Sequence, residues 1–255
     1  MSESPVLAVK GLTKQYGRKK AVSDLNFSVE KNELVGLLGP NGAGKSTTLR
    51  MIAGSLAPSG GSVTIHGYDI IGQPQQAKQQ IGYLPELPPL YLNMTVKEYL
   101  DFAGELKKNA DPQWMEDLVE NLELTKVMRS LTRSLSKGFR QRLGIAAALA
   151  GKPLLLLLDE PASGLDPRQT ADLRSLLRQM SQSMAIVVSS HGLHDIAALC
   201  TRIIIMNEGR IAADASPQEL AGTVQHQDSF EASGDMHLAG SLEQVFISLT
   251  GNGEK

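Results

Sequence analysis

Eight consecutive residues make the strongest chemical statement in this chain. Gly39-Pro40-Asn41-Gly42-Ala43-Gly44-Lys45-Ser46 fits G-x-x-x-x-G-K-[ST] in full. Its glycines let backbone N–H groups turn inward around phosphate oxygens, and a helix that starts there adds partial positive charge. Lys45 is placed to reach the β- and γ-phosphates of a nucleotide, and the Ser46 hydroxyl to ligate Mg²⁺. A plain glycine turn would also tolerate such residues, but both flanks fit a phosphate loop. Leu34 to Leu38 before it is apolar throughout, as in a strand buried on both faces. After it, Leu49, Ile52 and Ala53 keep helical spacing until Gly54 stops the pattern.

A second constellation is Leu154-Leu-Leu-Leu-Leu158 followed by Asp159-Glu160-Pro161. An Asp at the carboxyl end of a buried parallel strand sits on the ligand side of an open α/β sheet, where it can hold Mg²⁺ directly or through water. Glu160, one residue on, can polarise a water for in-line attack on a γ-phosphate. Taken alone, Asp-Glu-Pro reads equally well as a strand cap and turn; the phosphate loop is what tips it towards chemistry. His191 and His194 form an H-x-x-H pair, but no third ligand accompanies them and zinc is not expected.

The elements that must position these residues follow from periodicity. Val6 to Val9 and Phe27 to Val29 read as short strands, and Ser62 to His66 as another. From Thr95 to Leu124 the pattern is helical, a helical insertion without a strand signal. Leu154 to Leu158 and Ala185 to Ser190 read as central strands, with a helix through Leu173, Leu176, Leu177 and Met180 between them. Ile203 to Met206 and Arg210 to Ala213 flank Asn207-Glu208-Gly209 as a hairpin. Beyond Ala221 the chain turns polar, with one short amphipathic helix through Leu242, Val245, Phe246 and Leu249.

Composition sets the outer limits. The 255 residues are 42% hydrophobic and 20% charged, which excludes a largely disordered chain. No apolar run approaches the roughly 18–20 residues that span a bilayer, and the acidic Met1-Ser-Glu-Ser-Pro5 start lacks a secretory layout. A net charge of −2 gives no reason to expect nucleic acid. The single Cys200 forms no internal disulfide, so a reducing cytoplasm is the expected home.

Four segments in this order resemble the nucleotide-binding domain of ATP-binding cassette (ABC) transporters: Gly39 to Ser46, Leu135-Ser-Lys-Gly-Phe-Arg-Gln-Arg142, Asp159-Glu-Pro-Ala-Ser-Gly-Leu-Asp166 and Ser189-Ser-His191. The resemblance runs from about Val6 to Ala215. It implies an α/β P-loop NTPase with a RecA-like core, an antiparallel β-subdomain and a helical subdomain. The ATPase domain is placed at 1–220, its helical part at about 86–150, and a C-terminal appendage at 221–255. ATP and Mg²⁺ are the implied ligands. Gly39, Pro40, Asn41, Gly42, Ala43, Gly44, Lys45, Ser46 and Thr47 are the implied phosphate contacts, and Tyr16 the aromatic that stacks on adenine, although a partly buried core tyrosine would look the same. Ser136, Lys137 and Gly138 match the signature that binds a γ-phosphate held by a second subunit; a serine before a helix is also an ordinary N-cap. Asp166 matches the D-loop and His191 the switch histidine, which joins Glu160 as a catalytic residue. Ser46, Asp159 and Glu86 are the implied metal ligands.

Two departures mark a subfamily. Lys137 and Phe139 replace the commoner Gly and Gln of the signature, and Glu86 in Tyr83-Leu-Pro-Glu86 stands where the family usually has glutamine. Both look like the ABC-2 branch, which largely exports. The resemblance thus implies an ATPase subunit that pairs with a second ATP-binding subunit, an identical copy or a paralogue, on the cytoplasmic face of the inner membrane and powers a separate integral membrane permease. A soluble ABC ATPase acting as an assembly scaffold is the alternative. A non-hydrolytic binding module fits poorly with intact Lys45, Asp159, Glu160 and His191.

Overall fold

The computed structural model describes residues 4–107, 111–193, 197–223 and 234–251. Two sheets organise them. The first is antiparallel, in the order β2-β1-β4-β5, from β1 (Leu7–Tyr16), β2 (Lys19–Val29), β4 (Gly60–Ile65) and β5 (Tyr68–Asp69). The second has the order β10-β9-β3-β8-β7-β6, from β3 (Leu34–Leu38), β6 (Ile81–Leu84), β7 (Leu155–Leu158), β8 (Ala185–Ser190), β9 (Arg202–Asn207) and β10 (Arg210–Ala215). Its first five strands in chain order run parallel, and only β10 is antiparallel.

The continuous apolar strands are explained by two cores, one on each face of this sheet. Side chains alternate along a strand, so Leu156 and Leu158 of β7 enter one apolar cluster while Leu155 and Leu157 enter the other. The same alternation divides Leu34 and Leu38 from Val35 and Leu37 in β3. One cluster is shared with the antiparallel sheet and α1 (Lys45–Ile52). The other is covered by α3 (Val96–Leu106), α4 (Pro112–Asn121), α5 (Lys137–Leu149) and α6 (Pro167–Ser181). A six-residue α2 (Pro74–Gln79) precedes β6.

Several elements differ from the sequence expectation. The opening strands are far longer than Val6–Val9 and Phe27–Val29, because their polar halves (Lys14, Gln15, Lys19, Lys20) continue the pairing through several register shifts up to the β1–β2 turn. The helical stretch from Thr95 to Leu124 is two helices, each separately capped by Thr95 and by Asp111-Pro112. The Asn207-Glu208-Gly209 hairpin is present, with positive φ at both Glu208 and Gly209 as a tight two-residue turn requires. At the C-terminus, α7 (Pro217–Gly222) precedes a helix α8 (Gly234–Thr250) longer than the amphipathic stretch alone suggests. Leu242 and Val245 of α8 are buried in the same cluster as Ile203 and Ile205 of β9. Residues 1–3 and 224–233, on which parts of the terminal readings fall, lie outside the described residues.

Candidate functional site

Parallel strands bring their carboxyl ends to one rim of the sheet, and the candidate residues follow directly from those ends. Leu38 pairs with Ser190, and Leu158 with both Val188 and Leu84. The next residues in each chain segment are Gly39 after β3, Asp159 after β7, His191 after β8 and Pro85-Glu86 after β6. This convergence at the carboxyl edge is where open α/β sheets bind ligands.

A recess of about 430 Å³ opens there, lined by Tyr16, Asn41, Gly42, Gly44, Lys45, Ser46, Thr47, Glu86, Glu160 and His191. Lys19, Ala21 and Ser163 complete its wall and were not expected from sequence. The first two follow Tyr16 across the β1–β2 turn, so the hairpin that carries Tyr16 was the available signal. Gly44 caps α1 at φ 104 with no side-chain hydrogen bond, whereas α3, α4, α5, α6 and α7 each have a side-chain cap. The first amides of α1 therefore remain donors for an anion. Tyr16 is 50% exposed, which removes the core-tyrosine reading, and Lys14 Nζ lies 5.3 Å from its ring centre.

Lys45 is buried beneath the loop, donating to the carbonyls of Gly39 (2.7 Å) and Pro40 (3.3 Å) and lying 3.6 Å from Glu160 Oε1. Glu160 Oε2 lies 2.8 Å from His191 Nδ1. An ionised carboxylate only accepts, so this pairing places the imidazole proton on Nδ1. His194 lies outside the described residues.

Asp159 sits under the recess at 1% exposure. Its Oδ1 accepts from Ser46 Oγ (3.0 Å) and Ser189 Oγ (2.7 Å). Its Oδ2 is buried and has no hydrogen-bond partner among the described residues. Such an orphaned anionic oxygen beside a serine hydroxyl suits a hard divalent cation, and burying it otherwise carries a penalty. Among the described residues no three His, Cys, Asp or Glu side chains cluster as a metal cage. Ser189 also accepts from the Glu160 amide at 2.9 Å, fixing both acidic residues from one hydroxyl. Glu160 needs the help, since its φ of 49 is left-handed for a residue with a Cβ.

Ser136, Lys137, Gly138 and Asp166 are not in the recess. Ser136 caps α5 by accepting from the Phe139 amide at 3.4 Å, and Asp166 caps α6 in a reciprocal box with Gln169. Both helix starts border a separate cleft of about 320 Å³ between α5 and α6. The Lys137 ammonium lies against Gly164 of its own chain.

A glycine-rich loop between a buried parallel strand and an uncapped helix, with an acidic pair at the carboxyl end of a strand one removed in the same sheet, defines a P-loop nucleotide-binding protein. The ABC transporter family model matches residues 22–163. The chain is 34% identical over 227 residues to the lipopolysaccharide export system ATP-binding protein LptB of Haemophilus influenzae, covering 86% of this chain and 94% of that protein. Among solved structures, an ATP-binding subunit of an ABC transporter superposes with a TM-score of 0.82 at 28% identity, covering 96% and 99% of the two chains. The dimeric ABC transporter cassette MJ0796 gives 0.74 at 25% identity, covering 82% and 98%. The chain belongs to the ABC transporter family. It is an ATP-binding subunit whose ATPase activity is coupled to transport, and these relatives favour that over an assembly scaffold.

Proposed function

We propose that this chain hydrolyses ATP as one half of a head-to-tail dimer and drives export through a separate membrane permease. The observation that carries the reading is Glu160, poised over the phosphate loop between Lys45 and His191 with its backbone pinned by Ser189. In this reading the amides from Asn41 to Thr47 hold the phosphates, Lys45 neutralises them, and Tyr16 stacks on adenine. Bound Mg²⁺ supplies charge compensation to the phosphate oxygens. Ser46 and Asp159 would hold it, with Glu86 facing the same recess. Glu160 takes the proton of the attacking water, and His191, oriented by Glu160, contacts the γ-phosphate side. Ser136, Lys137 and Gly138 serve the nucleotide of a second copy; none of them reaches the recess of their own phosphate loop, and Ser136 and Gly138 border a different cleft.

The domain division at 1–220, with a helical part at about 86–150 and residues 221–255 appended, belongs to the same proposal. The permease would dock where Leu87 (82% exposed), Tyr91 and Leu92 form an apolar surface stiffened by Pro85, Pro88 and Pro89. That surface adjoins Glu86, so docking and the nucleotide site share one loop. No helix among the described residues is long and apolar enough to cross a membrane, which fits attachment to the inner face through a partner. The export-system relative and the Ser-Lys-Gly and Tyr-Leu-Pro-Glu variants support export.

Glu160→Gln tests the proposal. The variant is expected to bind ATP, accumulate as a dimer in size-exclusion chromatography and lose hydrolysis. Unchanged turnover would overturn the assignment of the base.

A further inference from the structure

The phosphate loop is braced from behind by the β9–β10 turn, and that turn is held by the C-terminal helix. Gly209 donates its amide to the carbonyl of Ala43, inside the phosphate loop, at 3.0 Å. Its own carbonyl accepts from the Ser23 amide at 2.8 Å. Gly209 has φ +76, and a Cβ there would sit 2.6 Å from the Ala21 carbonyl oxygen, so the turn is wedged between β2 and the loop. One residue pair earlier, the Met206 carbonyl presses on Gly39, where a Cβ would lie 2.4 Å from the oxygen. Between these two contacts stands Asn207. Its amide Nδ2 donates to the carbonyl of Leu249, near the end of α8, at 3.0 Å.

Helix carbonyls of the last turn have no intrahelical donor, so Leu249 offers a free acceptor at the end of α8 and Asn207 uses it. The helix is anchored independently by Leu242 and Val245, which are buried among the residues of β9. A chain of contacts thus runs from α8 through Asn207 to Met206 and Gly209, and from these to Gly39 and Ala43. We propose that Asn207 is a positioning residue of the nucleotide site, through which docking of the C-terminal helix sets the affinity of the phosphate loop for nucleotide. The inference rests on the phosphate loop binding nucleotide and extends that reading to residues outside the recess. Asn207 touches no phosphate; it acts by fixing the turn that fixes the loop.

Two variants of the full chain test it from opposite ends of the bond. Asn207→Ala removes the donor. Thr250→Pro keeps the Leu249 carbonyl but drives Leu249 out of helical ψ, moving the acceptor away at the last residue of the helix. Isothermal titration with ADP in magnesium chloride reads the Kd. A lost hydrogen bond corresponds to about a fivefold change, so each variant is expected to weaken ADP about three- to tenfold. The double variant should weaken it no further than either alone, because both break one link. Melting temperatures report folding separately, and kcat at saturating ATP should stay within about twofold of wild type. Unchanged Kd in both folded single variants, or additive losses in the double, would overturn the proposal. Loss of ADP binding by wild type itself would instead refute the nucleotide site, and Lys45→Ala serves as the non-binding reference.

Discussion

Ser189→Ala should damage stability and catalysis together, and the size of each effect can be worked out. The hydroxyl is fully buried, donates to Asp159 Oδ1 at 2.7 Å and accepts from the Glu160 amide at 2.9 Å. A hydrogen bond to a charged group contributes about 1.5–3 kcal/mol and a neutral one about 0.5–1.5. Losing both costs about 2–4 kcal/mol, since no water-sized replacement comes with the alanine methyl. For a chain of this size that corresponds to a fall of roughly 5–15 °C in the apparent melting temperature. Catalysis suffers through geometry. Without the Ser189 acceptor the Glu160 amide is unpaired and its left-handed φ of 49 is no longer enforced. The carboxylate then drifts from its 2.8 Å contact with His191. A misplacement on the order of 1 Å at a reacting group costs about 100-fold, so kcat should fall about 10- to 100-fold while the KM for ATP, set by the phosphate loop, changes little. Differential scanning fluorimetry and steady-state phosphate release measure the two effects. Ser190→Ala is the local comparison, because among the described residues the Ser190 hydroxyl bonds to Gly192 within the turn and to neither acidic residue. A Ser189→Ala protein melting within about 2 °C of wild type with kcat less than about twofold reduced would refute the reasoning.

The remaining expectations concern the nucleotide's base and the helix caps. Tyr16→Ala should raise the KM for ATP about three- to tenfold with kcat unchanged, and Tyr16→Trp should restore it, since an exposed ring contributes by stacking alone; equal KM in all three would remove the adenine contact. Glu98 and Glu219 are held below the ordinary glutamate value, first by the backbone amides of Thr95 and Ser216 and then by their hydroxyls. A carboxylate with a depressed folded pKa stabilises above its unfolded value and loses that contribution as pH falls through the folded one. The melting difference between wild type and Glu98→Gln/Glu219→Gln should thus be largest near neutrality and shrink below about pH 4; a difference constant with pH would contradict it.

The parts of the site legible in sequence were those where the backbone itself is constrained. A phosphate loop demands glycines at fixed spacing, and a strand buried on both faces demands an unbroken apolar run, so Gly39–Ser46, Leu34–Leu38 and Leu154–Leu158 announce themselves. Ser189 does not. A serine ending an apolar strand has no pattern of its own, and only the pairing of β7 with β8 places its hydroxyl against Asp159 and Glu160. The opening strands were under-read for a related reason. The register shifts between Val9, Leu12, Lys14 and Gln15 break the alternation that marks a strand. At Asp111-Pro112 the helix-start signal was present in the residues, but the apolar period runs through the join and hid the break.

Placement also gives meaning to residues whose local role looks complete. Ser136 and Asp166 satisfy their own helices, and nothing in one chain requires them to be anything but caps. Yet a γ-phosphate in the recess would share it with two carboxylates, Glu86 and Glu160, which bring negative charge to the same place. An anion there gains from further donors on the side facing away from the sheet. The start of α5 presents a serine side chain and a helix N-terminus at the α5–α6 cleft, with the exposed Lys137 between them in sequence. Two copies arranged head to tail would supply each recess with the donors it lacks and each α5 terminus with the anion it favours. The departure at Lys137 strengthens that complementarity, because a cation replaces a glycine on the surface that would meet phosphate.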